Sequence, residues 1–254
     1  MLIDTHCHLN FKSLAEHLPE ILQRGKENGV NYFLVPGVKP AEWSEILKLS
    51  KDYNNIFPAF GLHPLYADQY NTSVESELKD LLKYSVAVGE IGLDYMVKSP
   101  SREVQIEVFK SQLDLAIERD LPIIIHCRKA FKDLLSILYR VHSLKLRGVI
   151  HAFSGSPEIA TEMIKLGFKI GIAGTVTWKG ALKPVRVLQN ISIDDIVLET
   201  DSPNLSPESF RGIPNEPAHL REIVEVVAEI KNISVQQVAD ITTQNAVSIF
   251  GLKI

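Results

Sequence analysis

The sequence has very few cysteines and no long hydrophobic run. Cys7 and Cys127 are the only two thiols among 254 residues, too few for the disulfide framework that stabilises many secreted proteins. No apolar stretch approaches the ~20 residues that a transmembrane helix needs. The sequence enters an apolar segment at its first residues, so we expect no signal peptide. Together these absences predict a cytoplasmic protein without membrane contact.

The sequence also lacks a dominant charge, a linker and a dinucleotide-binding motif. Its net charge of -4 argues against a broad basic surface for nucleic acid. Bound divalent cations would nevertheless reverse the local field and admit a phosphate substrate. No Gly-x-Gly-x-x-Gly pattern follows an early strand, which removes the main support for a dinucleotide fold. No Ser-, Gly- or Pro-rich segment divides the chain, so we expect one domain over residues 1–254.

Apolar strands and amphipathic helices alternate along the chain. The patterns predict strands at 1–8, 31–35, 56–61, 86–94, 121–127, 148–151, 168–173 and 196–201. They predict helices at 12–28, 41–52, 74–84, 101–119, 217–230 and 234–250, and one that begins near Lys129. This alternation is typical of parallel βαβ units. About eight units in this length predict an α/β fold, a (β/α)8 TIM barrel, with a doubly wound open sheet as the alternative.

The first strand carries two imidazoles on one face. Side chains alternate along a strand, so His6 and His8 point the same way and Cys7 points the other. Two imidazoles at the end of a strand suit a metal better than a core, where each needs a hydrogen-bond partner. Cys7 and Cys127 adjoin such histidines, but we expect both to be small hydrophobic residues packed under helices.

Metal-ligating residue types recur at the ends of the later strands, where the active sites of such barrels lie. Glu90 lies on an apolar strand, where an unpaired buried carboxylate would be costly. The full set of candidates is His6, His8, His63, Glu90, His126, His151 and Asp201. A carboxylate with four imidazoles around a mouth has the composition to hold two metals about 3.5–4 Å apart, with the carboxylate bridging them. Four imidazoles favour zinc or manganese over magnesium.

Several candidates also have a structural interpretation. His63 before Pro64 fits a turn cap, and Asp201 before Ser202-Pro203 fits an N-cap. His126 and His151 fit the pattern of satisfied core histidines as well as that of ligands. The other polar and aromatic residues are assigned to structural or surface positions: His17, His142, His219, Trp43 and Trp178.

Six short motifs occupy the predicted strand ends in a fixed order. They are DTHCHL at 4–9, GLHP at 61–64, GEIGLDY at 89–95, IHCR at 125–128, HAFSG at 151–155 and ETDSP at 199–203. As a set they resemble the TatD family of metal-dependent deoxyribonucleases, a group of amidohydrolase-like TIM barrels. The resemblance runs from residue 2 to the Asn245…Phe250-Gly251 ending, so it covers essentially the whole chain.

The resemblance implies hydrolysis of DNA phosphodiester bonds, with single strands or frayed ends as substrate and exonuclease action. Nothing in the predicted surface helices indicates a dimer interface, so we expect a monomer. It implies two divalent ions (Mg2+, Mn2+ or Zn2+) held by His6, His8, Glu90, His126, His151 and Asp201, with Glu90 bridging. His63 and Arg128 would contact the substrate phosphate, and the Arg211-Gly212 loop would border the cleft. Glu90 and Asp201 would be catalytic, with the metals activating a water that loses its proton to Asp201.

The loops around the predicted mouth depart from the family pattern. Met96-Val97 lacks a common basic residue, and Ile213-Pro214 interrupts the usual basic character after Arg211-Gly212. Two alternatives stay open, and the departures bear on the first of them. One is a carboxyl-ester hydrolase, such as an aminoacyl-tRNA deacylase, that uses the same metal site. The other is a metal-binding scaffold without catalysis.

Overall fold

Eight parallel strands form a single sheet in which each strand pairs with the next along the chain. The computed structural model describes residues 1–144 and 146–254. The strands are β1 (Leu2–Asp4), β2 (Val30–Pro36), β3 (Ile56–Phe60), β4 (Ala87–Asp94), β5 (Ile123–Arg128), β6 (Gly148–Ile150), β7 (Phe168–Ile172) and β8 (Ile196–Leu198). Backbone hydrogen bonds from Thr5 N–H to the Leu198 carbonyl (3.1 Å) and from Asp201 N–H to the His6 carbonyl (2.8 Å) join the chain's first and last strands. The predicted (β/α)8 TIM barrel is therefore confirmed, and the doubly wound alternative is wrong.

Helices cover the outside of the barrel and the end opposite the carboxyl termini of the strands. They are α1 (Lys12–Ala15), α2 (Leu18–Glu27), α3 (Pro40–Asp52), α4 (Thr72–Leu81), α5 (Arg102–Arg119), α6 (Phe131–Val141), α7 (Pro157–Lys165), α8 (Leu182–Asn190), α9 (Leu220–Lys231) and α10 (Val235–Phe250). The prediction of one helix over 12–28 is wrong, because the chain breaks at Glu16-His17 and α2 restarts with Pro19 in its first turn. Proline has no N–H to donate and clashes with the preceding turn, so it fits the start of a helix and not its interior.

The barrel interior is filled by apolar side chains at the end opposite the strand carboxyl termini. One buried cluster takes a residue from each of seven strands: Ile3, Leu34, Ala59, Ala87, Ile124, Val149 and Val197. Ile249, Phe250 and Leu252, from the end of α10 and the residues after it, pack against this cluster. Because apolar side chains close this end, only the carboxyl end of the barrel offers a mouth lined by polar groups.

Both cysteines and one of the two tryptophans are buried in the core. Cys7 and Cys127 are buried among the core residues between sheet and helices. Trp43 is fully buried and donates from Nε1 to the Gly61 carbonyl (3.1 Å), whereas Trp178 is half-buried at the rim. Within the described ranges no helix combines the length and apolar character needed to cross a bilayer.

Candidate metal centre

Glu90 lies at the centre of a group of imidazoles in the mouth of the barrel. It is 3 % exposed and lies on β4 between two glycines. Gly92 has φ +142°, and a Cβ there would lie 2.0 Å from the His126 carbonyl oxygen, so only glycine allows β4 and β5 to approach this closely. This close approach brings the His126 ring to the Glu90 carboxylate. Nδ1 of His126 lies 3.0 Å from Glu90 Oε1.

The first donor group consists of His6, His8, Asp201 and one oxygen of Glu90. His6 Nε2 lies 3.3 Å from His8 Nε2 and 3.3 Å from Glu90 Oε2. Asp201 Oδ1 lies 3.4 Å from His8 Nε2 and 3.8 Å from His6 Nε2. With metal–ligand bonds of about 2.0–2.1 Å, two ligands of a tetrahedral ion lie about 3.3–3.4 Å apart. The spacing of these donors therefore fits a small divalent cation.

The second donor group gathers on the other oxygen of Glu90. Besides His126 Nδ1, it includes His151 Nε2 at 4.0 Å from Glu90 Oε1. His63 Nε2 lies 3.7 Å from the same oxygen. His151 Nε2 also lies 3.6 Å from Asp201 Oδ1, so it borders both groups. Each oxygen of the Glu90 carboxylate thus faces a different set of nitrogen donors. This is the arrangement that a carboxylate needs in order to bridge two ions.

Carboxylates behind His126 and His151 fix which ring nitrogen faces the mouth. His126 Nε2 lies 3.3 Å from Asp94 Oδ2, and His151 Nδ1 lies 2.9 Å from Glu199 Oε1. A carboxylate accepts a hydrogen from the near nitrogen, which leaves the opposite nitrogen with a free lone pair. Metal-binding histidines commonly have such a partner. A bound metal would therefore meet the ring nitrogen on the Glu90 side, with the ring proton kept on the side of Asp94 or Glu199. Without a metal, the surrounding carboxylates outweigh burial and raise the pKa of both rings.

His63 is held in the opposite sense. Its Nδ1 accepts a hydrogen bond from the Leu65 backbone N–H (3.1 Å), so the ring proton resides on Nε2, which points into the mouth. Burial lowers the pKa of His63 to about 3, against the opposing effect of Glu90, and the ring is therefore neutral. His63 serves as the turn cap considered for it and at the same time presents an N–H donor beside the metal donors.

The electrostatics of the mouth favour positive charge. Burial alone would raise the pKa of Glu90, but the nearby imidazoles of His63, His6 and His151 outweigh it and hold that pKa well below the ordinary value. Burial likewise lowers the pKa of His151, but Glu199, Asp201 and Glu90 outweigh it and raise the value to about 10. The carboxylates are therefore ionised, and their field stabilises a cation in their midst. The donor set and its charge both fit divalent metal ions.

The expected substrate-contacting residues lie around this centre. His63 is within the mouth, whereas Arg128 is exposed at the end of β5 and lines a cavity of about 510 Å³ beside His126, His151 and Asp201. The Arg211 guanidinium lies 4.9 Å from the centre of the Trp178 ring, and Trp178 lines the same cavity. The structure thus brings together all of the residues proposed as ligands and places the Arg211 loop beside the cleft.

Sequence reasoning assigned no role to two carboxylates that orient the ligands. Asp94 ends β4 and Glu199 follows β8, so the strand-end argument could have included both. The Glu199 carboxylate accepts from the Ala152 N–H (2.5 Å) and occupies the space where a Cβ on Gly171 would lie. That space exists only because residue 171 has no side chain.

A third carboxylate, Asp4, was also overlooked. It lies below the mouth and joins the end of β1 to the residues after β8. Asp4 accepts from the Thr200 N–H (2.9 Å) and hydroxyl (2.5 Å). Burial raises its pKa to about 7, although the bonds from Thr200 oppose the rise. The bonds thereby link Asp4, two residues before His6, to Thr200, the residue before Asp201.

Comparison with known proteins agrees with this geometry. The family model described as TatD related DNase matches residues 3–251. The uncharacterized metal-dependent hydrolase YabD of Bacillus subtilis is 37% identical over 99% of this chain and 100% of its own length. The crystal structure of YjjV, a TatD homolog from Escherichia coli, superposes with a TM-score of 0.94 at 32% identity, over 99% of this chain and 98% of that one. A TatD family hydrolase from Entamoeba histolytica, at 22% identity, shares the fold with a TM-score of 0.88 over 98% of this chain and 97% of its own. The chain therefore belongs to the TatD family and is a metal-dependent hydrolase.

Proposed function

We propose that this hydrolase cleaves DNA phosphodiester bonds with two divalent cations, acting as an exonuclease on single strands or frayed ends. The observation that carries the proposal is the position of Glu90, whose two oxygens face separate sets of nitrogen donors. Phosphodiester hydrolysis requires charge stabilisation on both the attacking and the leaving oxygen, which two neighbouring cations supply. His6, His8, Asp201 and Glu90 would hold one ion, and Glu90, His126 and His151 the other. When bound, such ions acidify water and neutralise phosphate charge.

The protein's own groups support the same reaction. Asp201 is 8 % exposed, and although burial opposes ionisation, His151 holds the pKa of Asp201 below its ordinary value. The ionised carboxylate is therefore able to accept a proton at neutral pH. Its Oδ1 lies 3.4 Å from His8 Nε2 and 3.6 Å from His151 Nε2, so it is close to nitrogens of both donor groups.

Two further groups suit a phosphate oxygen. His63 is neutral with its proton on Nε2, so it donates a hydrogen bond without competing for a cation. Arg128 is exposed at the rim, where its guanidinium is free to meet a second phosphate oxygen in bidentate geometry. A carbonyl substrate has no second anionic oxygen for Arg128 to neutralise, so the pair favours a phosphodiester over a carboxyl ester.

An assay on the metal-stripped protein tests the proposal. Mg2+, Mn2+ or Zn2+ is added back, and end-labelled single-stranded DNA is followed on a gel, with Glu90→Gln as the inactive variant. We expect metal-dependent shortening that begins at one end and that the variant lacks. DNA that stays intact with every metal, although the metals bind, would refute the nuclease function. Hydrolysis of aminoacyl esters under those conditions would then assign the site to an aminoacyl-tRNA deacylase.

The partners and setting follow from the same proposal. We propose DNA as the macromolecular substrate, a monomer as the active form and the cytoplasm as its location; two free cysteines are compatible with a reducing compartment. Size-exclusion chromatography with light scattering at micromolar concentration tests the monomer, and a mass near 57 kDa, about twice the 28.4 kDa of the chain, would contradict it.

A further inference from the structure

Three cavities join into one groove that leads away from the metal centre. The innermost, of about 250 Å³, shares His126 and Asp201 with the cavity of about 510 Å³. That second cavity shares Arg128, Ser154 and Lys183 with an outer cavity of about 830 Å³. Because they share lining residues, the three spaces lie side by side. The groove therefore runs from the mouth past the end of β5 to the start of α8.

The outer cavity is lined by four cationic side chains, which we call the basic cleft: Arg128, Lys129, Lys183 and Arg186. All four are exposed. Across residues 1–144 and 146–254, no carboxylate lies within 4.0 Å of any of them, although other basic residues of this chain form ion pairs. The cleft is basic on a chain whose net charge is -4. Like charges that share a cleft repel one another, and an anionic ligand relieves that repulsion.

Two other residues of the outer cavity bear on the ligand. Among the residues that the structure describes, Glu158 is the one acidic residue that lines it. Hydrogen bonds from Ser156 and from its own backbone N–H at the start of α7 hold the pKa of Glu158 below the ordinary value. Its charge is thus engaged by the helix start rather than by the cleft cations. Phe131 is half-buried in the same wall, with its ring 5.3 Å from that of Phe153. A basic groove with an aromatic wall is the pattern used to bind single-stranded nucleic acid.

We propose that the basic cleft binds the phosphates of a single DNA strand that continues beyond the nucleotides held at the metal centre. The inference rests on the proposed nuclease function and adds to it a path for the uncleaved part of the strand. Arg128 lines both the second and the outer cavity, so one side chain serves a phosphate that approaches the metal centre and the next phosphate along the strand. Lys183 and Arg186, one turn apart on α8, serve the phosphates farther out.

The test removes two cleft charges without touching the metal centre. Lys183→Gln/Arg186→Gln is compared with Lys48→Gln/Lys110→Gln, which removes two exposed charges that also lack ion pairs but lie on α3 and α5. The probes are a fluorescent phosphorothioate 12-mer of thymidine, which resists hydrolysis, and the unmodified 12-mer and dinucleotide as substrates. Binding is measured by anisotropy on the metal-loaded protein between about 50 and 200 mM salt, a range over which phosphate contacts change the affinity strongly.

Each single-strand phosphate contact contributes about 0.7 to the slope of log affinity against log salt, so two lost contacts reduce the slope by about 1.4. Extrapolated from 1 M, this is about a 25-fold loss of 12-mer affinity at 0.1 M salt. We expect the cleft variant to show this loss, with unchanged turnover of the dinucleotide, and the α3/α5 variant to bind like the original protein. Equal losses in both double variants, or none in the cleft variant, would overturn the inference.

The design separates this inference from the proposed function. If the unmodified protein cleaves both substrates and the cleft variant binds normally, the cleft inference fails and the nuclease function stands. If the unmodified protein cleaves neither substrate but binds the 12-mer with the cleft-dependent slope, the nuclease function fails and the cleft remains a strand-binding site. Equal unfolding temperatures of the three proteins show that the comparison is not affected by misfolding.

Discussion

Replacing Glu90 by glutamine should remove the thermal stabilisation that divalent cations give to this protein. Glu90 Oε2 lies 3.3 Å from His6 Nε2, and Oε1 lies 3.0 Å from His126 Nδ1. A neutral amide has one oxygen instead of two and no charge, so the change weakens both donor groups at once. Glutamine has nearly the same volume, so the packing of β4 is kept.

The expected effect follows from linkage between binding and folding. A cation at 100 times its Kd stabilises the folded state by about 2.7 kcal/mol, and two such cations by about 5.4 kcal/mol. In a protein of this size, 1 kcal/mol raises the unfolding temperature by about 2–4 °C, so two cations should raise it by about 11–22 °C. If Glu90→Gln weakens both sites 100-fold, about 0.8 kcal/mol and about 2–3 °C remain.

The assay is differential scanning calorimetry of the metal-stripped proteins titrated with Mn2+ or Zn2+, together with the bound-metal ratio by mass spectrometry. His8 belongs to the first donor group alone, so His8→Asn should keep about half of the shift. Glu77→Gln, at an exposed position on α4, is the matched control and should keep all of it. A Glu90→Gln protein that binds two ions with the full shift would refute the shared role of this carboxylate.

Three further predictions follow from contacts in the structure. Glu199→Gln should lower the metal affinity and kcat/KM about 10–100-fold, because the Glu199 carboxylate lies 2.9 Å from His151 Nδ1 and orients that ring. Metal titration and steady-state kinetics measure the two effects. An unchanged metal affinity would exclude this orienting role of Glu199. Trp43→Phe should destabilise the fold by about 1–3 kcal/mol because the buried Gly61 carbonyl loses its donor; urea unfolding measures this, and a loss below about 0.5 kcal/mol would contradict it. Burial lowers the pKa of His219 below its ordinary 6.5. The unfolded chain therefore takes up a proton more readily, and stability falls as the pH drops below 6.5. His219→Gln should flatten this fall in unfolding free energy between about pH 7.5 and pH 5, and an identical pH profile would argue against it.

The architecture was predictable because the pattern of apolar segments repeats around the barrel. Strand ends were displaced by a few residues, as at β8, which ends at Leu198 and not at residue 201. The division of 12–28 into α1 and α2 could have been read from Pro19, but the overall apolar periodicity hid it. Helices α7 and α8 were expected only from the alternation and were given no boundaries, because each has only nine residues and α8 carries Pro184 in its first turn.

The donor set was predictable for a different reason: parallel strands deliver their end residues to one place. What the sequence leaves undetermined is which atom of each residue faces which neighbour. The proton on His63 Nε2 depends on a backbone N–H two residues later, and the orientation of His126 depends on Asp94 from another strand. The basic cleft was hidden for the same reason, since Lys183 and Arg128 are far apart in the chain and meet only in the folded barrel.

The metal centre forms where the first and last strands of the barrel meet, so it is complete only when the whole chain has folded. Asp4 and Thr200, 196 positions apart in the sequence, are joined at this junction, with His6 and His8 on one side and Asp201 on the other. A chain that ends before β8 carries both histidines but lacks the carboxylate opposite them, so it cannot hold a cation as tightly. Closing so long a loop costs conformational entropy, and a cation that binds only the closed barrel offsets part of that loss. Metal binding should therefore coincide with the last step of barrel closure. The protein should have no hydrolytic activity before the whole chain has folded.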